Sequence, residues 1–158
     1  MRKWLLIPVV VLVLAVGFPR PAGATAPTEY TAIFTIVSVT VTSDRFAGGN
    51  ELISATFQNT MAGDIVGTGT GTQDTEAHAD TSANIHGMFT CTCTVAGRSG
   101  TFVVKYAGTC PPLPGPCTGN ESIGHGTGEL ATLHGQGTFA ELPTGGVLKS
   151  WKLHFDPS

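Results

Sequence analysis

One glycine-dense stretch constrains the fold of this chain more than any other feature. Residues 124–139 read GHGTGELATLHGQGTF, which places five glycines around the apolar turn LATL, and Gly119 lies just before them. Glycine at this density in strand-like sequence marks backbone that bends sharply or approaches another backbone closely. We therefore predict a strand, a tight helical turn and a second strand here, closing a β-barrel.

The remainder of the chain has the two-residue periodicity of strands. Apolar and polar side chains alternate, as in the last segment, where Val147, Trp151, Leu153 and Phe155 share one face. No segment has the period of an amphipathic helix. The sequence thus predicts an all-β fold, an eight-stranded antiparallel barrel formed by residues 25–158 as one domain, with strands at 30–42, 51–60, 61–77, 85–95, 101–108, 121–126, 134–141 and 147–155.

The N-terminal 24 residues have the plan of a secretory signal peptide. Arg2 and Lys3 precede the apolar run WLLIPVVVLVLAVGF, and Ala22-Gly23-Ala24 supplies the small residues of a cleavage site. The alternative is an uncleaved membrane anchor, but the run is shorter than the roughly 20 residues that a spanning helix needs. We predict that residues 1–24 are removed and that the protein is secreted, either extracellular or periplasmic.

The charge of the remaining chain excludes two classes of partner. Loss of Arg2, Lys3 and Arg20 with the signal peptide leaves five basic residues against eleven acidic ones, a net charge near −6. This balance argues against nucleic acid or an anionic membrane surface as a partner. The oligomeric state stays open at this point.

Three motifs in order carry a family resemblance. They are GDIVGTGTGT (63–72), AGRSGTF (96–102) and GTGELATLHGQGTF (126–139). The chain resembles an uncharacterised family of small bacterial proteins related to the allene oxide cyclase-like barrels, which include plant dirigent proteins. The resemblance covers roughly residues 30–156 and implies an allene oxide cyclase-like barrel with a filled or ligand-holding interior, but no activity. The signal peptide, the four cysteines and the CPPLPGPC loop depart from the family's pattern.

The third predicted strand has one bare face, which makes the interior of the barrel the candidate site. Gly67, Gly69 and Gly71 lie together there, and either bulky side chains from other strands or a ligand could fill the space. Alternation directs large side chains towards the same interior. We expect the cavity to be lined by Phe34, Phe57, Gly67, Gly69, Tyr106 and Trp151, with Ile36, Phe102 and Phe155 also pointing inward.

These residues predict binding of a small apolar or amphipathic molecule inside the barrel, with no cofactor. Two alternatives remain open: an isomerase or cyclase that acts in the same cavity, and a structural or surface-interaction module with a packed interior. No G-x-S-x-G, H-E-x-x-H or phosphate-binding loop is present in the sequence.

Two groups of polar residues contain side chains of the types that bind metal ions. Asp74, Glu76 and His78 alternate along one strand, but they continue its polar outer face, which favours a solvated strand end. His125, Glu129 and His134 lie in the glycine stretch with no recognised metal-binding spacing, so turn residues account for them. We predict no metal site.

The four cysteines form two pairs by position. Cys110 and Cys117 flank a loop stiffened by four prolines, so we predict a disulfide between them. Cys91 and Cys93 lie two apart on one strand face. If a turn at 96–100 closes the hairpin, Cys93 lies opposite Val104 and Cys91 opposite Tyr106. We expect these two cysteines to be inward thiols or an easily reduced pair.

Overall fold

The computed structural model describes residues 25–112 and 115–157. The predicted signal peptide lies outside the described residues. Eight strands follow in chain order: β1 (Thr28–Ala47), β2 (Asn50–Gly63), β3 (Ile65–Ala77), β4 (Ala83–Val95), β5 (Arg98–Cys110), β6 (Thr118–Gly128), β7 (Leu133–Glu141) and β8 (Val147–Phe155).

The strands form one closed antiparallel ring in sequential order. Each strand pairs with the next, and β1 closes the ring by pairing with β8 from Thr28 opposite Leu153 to Phe34 opposite Val147. This confirms the predicted all-β class and the eight antiparallel strands. The described residues include no helix of the length and apolar character needed to cross a membrane.

The glycine stretch folds as its sequence predicts. β6 ends at Gly128, which has a φ of 61°, a backbone conformation that favours glycine. The backbone N–H of Leu130 then donates to the Thr127 carbonyl at 3.2 Å, and that of Leu133 donates to the Leu130 carbonyl at 3.0 Å. This tight turn places the Leu130 side chain, which is fully buried, inside one end of the barrel.

Two strand boundaries were predicted wrongly, because one turn lies later in the chain and another is shorter than the sequence indicated. Met61 belongs to β2, and the chain turns only at residues 63–65, where the Asp64 carboxylate accepts from the backbone N–H of Thr31 at 2.8 Å. The hairpin of β4 and β5 closes through Ala96 and Gly97 alone, both with positive φ, as in a two-residue hairpin turn.

The shorter hairpin also corrects the predicted register of the cysteines. Cys93 lies opposite Gly100, and Cys91 lies opposite Phe102. Neither faces Val104 or Tyr106, because a two-residue turn shifts every pairing relative to the predicted five-residue turn.

The inward direction of the large side chains is confirmed for most predicted positions. Tyr106 is half-buried, while Phe34, Phe57, Phe102, Trp151 and Phe155 are buried. Ile36 also lies on the inner face, opposite the buried Asn59, but it is 47% exposed. The reason is that β8 pairs with β1 only as far as Phe34, so residues 35–47 of β1 pair with β2 alone.

The two ends of the barrel differ in their packing. One end is closed by fully buried apolar side chains, and the Arg98 guanidinium covers the ring of Phe155 at 4.1 Å. At the other end the inward-facing positions are half-buried or exposed, including Ile53, Gln73 and Ile85. At this second end, β1 to β4 extend past the end of β7 and the start of β8. We call it the open end.

Both cysteine pairs lie at disulfide distance. Cys110 and Cys117 close the loop between β5 and β6, with their Cα atoms 4.0 Å apart. Cys91 and Cys93 pair within β4, with Cα atoms 5.5 Å apart, and both are buried in the barrel. Two such pairs are consistent with an oxidising environment.

The close approach at Gly126 generates a stability prediction. A Cβ added to this residue would collide with the Leu130 carbonyl oxygen, so we expect Gly126→Ala to cost more than about 1 kcal/mol. Gly124→Ala is the matched control on the same strand, because its added Cβ has a nearest neighbour 3.8 Å away, at His134 Nδ1. Chemical denaturation measures both, and equal midpoints would contradict the assignment.

The Cys110–Cys117 pairing generates a second prediction. We expect Cys110→Ser to leave one free thiol, located at Cys117 by alkylation without reduction and mass spectrometry. Removing the disulfide that closes a loop of this length should lower the free energy of unfolding by at most about 2–3 kcal/mol, since the prolines already restrict the unfolded loop. Alkylation at Cys91 or Cys93 in this variant would mean that the pairs exchange.

Candidate functional site

The interior of the barrel holds a buried ion pair. Lys149 on β8 and Glu121 on β6 are each only 4% exposed, and the Lys149 ammonium contacts Glu121 Oε1. The strand between them supplies no side chain at the critical position, because Gly137 lies directly opposite Glu121 on β7. The Trp151 indole occupies the space that a side chain at residue 137 would fill, and Lys149 lies opposite Phe139 on the same strand.

Four aromatic rings surround the ammonium of Lys149. Its Nζ lies 4.5 Å from the ring centroid of Phe34, 5.2 Å from that of Phe89, 5.3 Å from that of Phe139 and 5.9 Å from that of Tyr106. The negative face of an aromatic ring attracts a cation, most strongly where water is excluded. We call these four rings the aromatic cage.

Burial opposes charge on both members of the pair. It raises the pKa of the Glu121 carboxyl, and the adjacent Lys149 ammonium offsets only part of that rise. Burial likewise lowers the pKa of Lys149, against the attraction of Glu121. It also raises the pKa of the Tyr106 phenol above its usual range, with the charges of Glu121 and Asp74 adding to the effect.

Three buried side chains of the barrel interior, Glu121 among them, have polar atoms without a regular hydrogen bond. Within the described ranges, Glu121 Oε2, Trp151 Nε1 and both amide atoms of Asn59 make no hydrogen bond of regular geometry. The indole N–H of Trp151 still interacts with the Glu121 carboxylate and lowers its pKa. Unsatisfied buried polar atoms are costly, which makes this interior unusual for a purely packed core.

The open end carries an exposed apolar surface above the aromatic cage. Val39 and Val41 of β1 lie opposite Phe57 and Ala55 of β2, so they share the inner face of the sheet, yet each is 56% exposed. Phe46, farther along the same face, is 78% exposed. We call the inner face of β1 to β4 at this end the trough.

The predicted cavity-lining residues fall into two groups. Phe57 and Tyr106 lie at the base of the trough. Phe34 belongs to the aromatic cage, and Trp151 lies beside Glu121. Gly67 and Gly69 face inward, but the side chains of Cys93 and Asn59 already occupy the space over them. The bare strand face therefore accommodates neighbouring side chains, and the accessible apolar surface lies nearer the open end.

The outer surface offers a different concavity. A groove of about 920 Å³ runs over β1, β6, β7 and β8, and its lining includes Glu29, His134, Gln136 and Lys152. His134 and His154 each lie near the Asp156 carboxylate, at 3.1 and 3.3 Å. In the part of the chain that the structure describes, no three histidine, cysteine or acidic residues have a metal-binding arrangement. The groove is broadly open to solvent.

The residues considered as metal ligands have other partners. Asp74 accepts from the Ser54 hydroxyl at 2.5 Å, Glu76 accepts from the Asn50 amide at 2.6 Å, and His78 Nε2 lies 3.2 Å from the Asn84 amide. Glu129 accepts from the backbone N–H of Ser99 at 2.8 Å, which fastens the turn of the glycine stretch.

The sequence-based prediction omitted Lys149 and Glu121. A signal was present, because Lys149 occupies the same alternating positions as Val147 and Trp151, and Glu121 those of Ile123. Strict alternation assigns both charges to the interior. Alternation does not predict that these two side chains contact each other, since 28 residues separate them along the chain.

Comparisons with known proteins identify relatives whose function is unknown. A family model described as a protein of unknown function, DUF3224, matches residues 30–149. A solved structure, that of a DUF3224 protein of unknown function from Shewanella oneidensis MR-1, is 22% identical with a TM-score of 0.66 and covers 84% of this chain and 99% of its own. No curated protein matches the chain. The structural likeness supports the fold alone.

The buried pair generates a prediction with a defined pH dependence. We expect Glu121→Leu to lower the free energy of unfolding by about 3–5 kcal/mol at pH 7, because it leaves a buried ammonium without its partner. The loss should shrink as the pH rises towards 10. A buried lysine whose pKa lies below its unfolded value binds fewer protons than the unfolded chain, so folding gains stability with pH.

The matched control is the double variant Glu121→Leu/Lys149→Met, which removes both charges together. Its stability should return to within about 2 kcal/mol of the wild type or exceed it. Urea denaturation across this pH range measures all three proteins. Additive losses in the double variant would show that the two side chains are not coupled.

Proposed function

Since the chain belongs to the DUF3224 family, whose function is unknown, we propose a function from its own barrel: it binds a small apolar or amphipathic molecule at the open end. The observation that carries the proposal is the exposure of Val39, Val41 and Phe46 on an inner sheet face. Exposed apolar surface on a concave face marks a ligand groove or an interaction site in soluble proteins.

The base of the trough supports a ligand that has one polar end. Phe57 and Phe89 supply apolar contact there, and the half-buried Tyr106 directs its hydroxyl to Gln73 Oε1 at 3.1 Å. A ligand lying along the trough could exchange hydrogen bonds with these two polar groups while its apolar part covers the valines. Ligand sites commonly combine apolar walls with a few fixed polar groups in this way.

We further propose that the protein works outside the cytoplasm and that its barrel is related to the allene oxide cyclase-like barrels. The two cysteine pairs support an oxidising compartment, and the N-terminal sequence fits export. The closed eight-stranded ring supports the relationship between the barrels, although other families share that architecture.

A pair of valine variants tests where the ligand binds. We expect the neutral apolar dye N-phenyl-1-naphthylamine to bind saturably, and Val41→Asp to weaken that binding about tenfold or more, equivalent to about 1.4 kcal/mol. The reason is that the new carboxylate must be desolvated beneath an apolar ligand. Val66→Asp is the matched control, because Val66 is also 56% exposed but lies on the outer face. Fluorescence titration measures both.

Two outcomes would overturn the proposal. Equal affinities for the Val41→Asp and Val66→Asp proteins would place the dye elsewhere on the molecule. A change of oligomeric state in Val41→Asp, measured by light scattering, without a change in dye affinity would instead make the trough a protein interface.

A further inference from the structure

We propose that Lys149 holds an apolar aldehyde or ketone as a reversible imine, with Glu121 as its proton donor and counterion. This inference rests on the proposed function, since it names the chemical class of the ligand that enters the open end. The inference assigns a covalent role to Lys149, a residue that the fold does not require for its stability.

The placement of Lys149 distinguishes it from the other lysines of the barrel domain. Residues 25–158 contain Lys105, Lys149 and Lys152, and the first and last of these are exposed. Lys149 and Glu121 are the charged side chains that lie buried among the described residues. A buried ion pair contributes little net stability compared with apolar side chains of similar volume, so packing gives no reason for it.

The environment favours the neutral amine that an imine requires. An ammonium has no lone pair with which to attack a carbonyl carbon, so the lysine must first lose a proton. Burial lowers the pKa of Lys149 and raises that of Glu121, which drives that proton towards the carboxylate. The proton would move along the existing contact between the Lys149 ammonium and Glu121 Oε1.

The reaction balances without any further reagent. The Lys149 ammonium gives one proton to Glu121, and the neutral nitrogen forms a bond to the carbonyl carbon while the carbonyl π electrons move to oxygen. A proton then passes from nitrogen to that oxygen. Glu121 returns its proton as the hydroxyl leaves as water, and the resulting iminium is paired with the Glu121 carboxylate. No electron is gained or lost overall.

The surroundings select the kind of carbonyl compound. The rings of Phe34, Phe89, Phe139 and Tyr106 surround the nitrogen, so the group attached to the carbonyl carbon must be apolar. Among the described residues, the buried basic side chain that could pair with a ligand carboxylate is Lys149 itself, which Glu121 already neutralises. An aromatic or long-chain aldehyde therefore fits better than a sugar or a keto acid.

One ring stands between the nitrogen and the trough. Tyr106 is half-buried and packs edge-on against Phe139 with ring centroids 6.0 Å apart. Its hydroxyl is held by Gln73 Oε1 and, at 3.4 Å, by the Thr72 carbonyl oxygen. Rotation of this side chain would open the aromatic cage to a ligand lying in the trough, so truncating it should speed imine formation.

The test is reductive trapping of the wild-type protein at pH 7 with 2-naphthaldehyde and sodium cyanoborohydride. Peptide mapping by mass spectrometry then locates the adduct. We expect modification at Lys149 at least about tenfold faster than at Lys105 or Lys152, which serve as internal controls with ordinary exposed amines. Tyr106→Ala should increase the rate at Lys149, and Glu121→Gln should reduce it about tenfold or more.

A matched alcohol separates this inference from the proposed function. The compound 2-naphthalenemethanol has the same ring system but cannot form an imine, so its competition with the fluorescent dye measures non-covalent binding alone. If the alcohol binds and Lys149 stays unmodified, the imine is overturned and the binding function stands. If neither compound binds, both fail. Adducts confined to Lys105, Lys152 or the N-terminal amine also overturn the imine.

Discussion

The narrow interior of an eight-stranded barrel is the constraint on which this structure depends. Large rings fit because inward-facing glycines on neighbouring strands leave room for them: Phe139 lies over Gly108 and Gly119, and Trp151 lies over Gly137. These glycines thus provide space for specific side chains and do not serve as points of flexibility. Each ring that settles over a glycine also helps to define the aromatic cage, so the position of Lys149 follows from the same complementarity.

The buried ion pair marks the boundary between two kinds of interior. On one side the apolar side chains are fully buried and the barrel is sealed, whereas on the other side the inner face is open to solvent. Desolvation of two charges is a cost that attraction between them repays only in part. The aromatic cage and the Trp151 indole reduce that cost, because the rings attract the ammonium and the N–H favours the carboxylate.

Alternation in the sequence was sufficient to predict the strands and the direction of most large side chains. Phe57 and Trp151 were placed correctly because a period of two leaves little freedom once one face is buried. The 47% exposure of Ile36 could not be predicted in this way, because it depends on where a distant strand stops pairing. The site was the harder part. Lys149 and Glu121 obey the same alternation, but they lie on β8 and β6 with β7 between them, so only the three-dimensional register reveals their contact.

The pairing that closes the ring joins the two ends of the chain. Thr25 and Phe155 exchange hydrogen bonds at 3.0 and 2.7 Å, and Thr28 lies opposite Leu153. Such pairing has the longest possible sequence separation, and contacts of this kind slow folding because a large loop must close before they form. In a nascent chain that still lacks β8, one edge of β1 from Thr28 to Phe34 has no partner strand. The barrel therefore cannot close until the final strand has been synthesised. Lys149, which lies on that strand, can contact the aromatic cage only after this step.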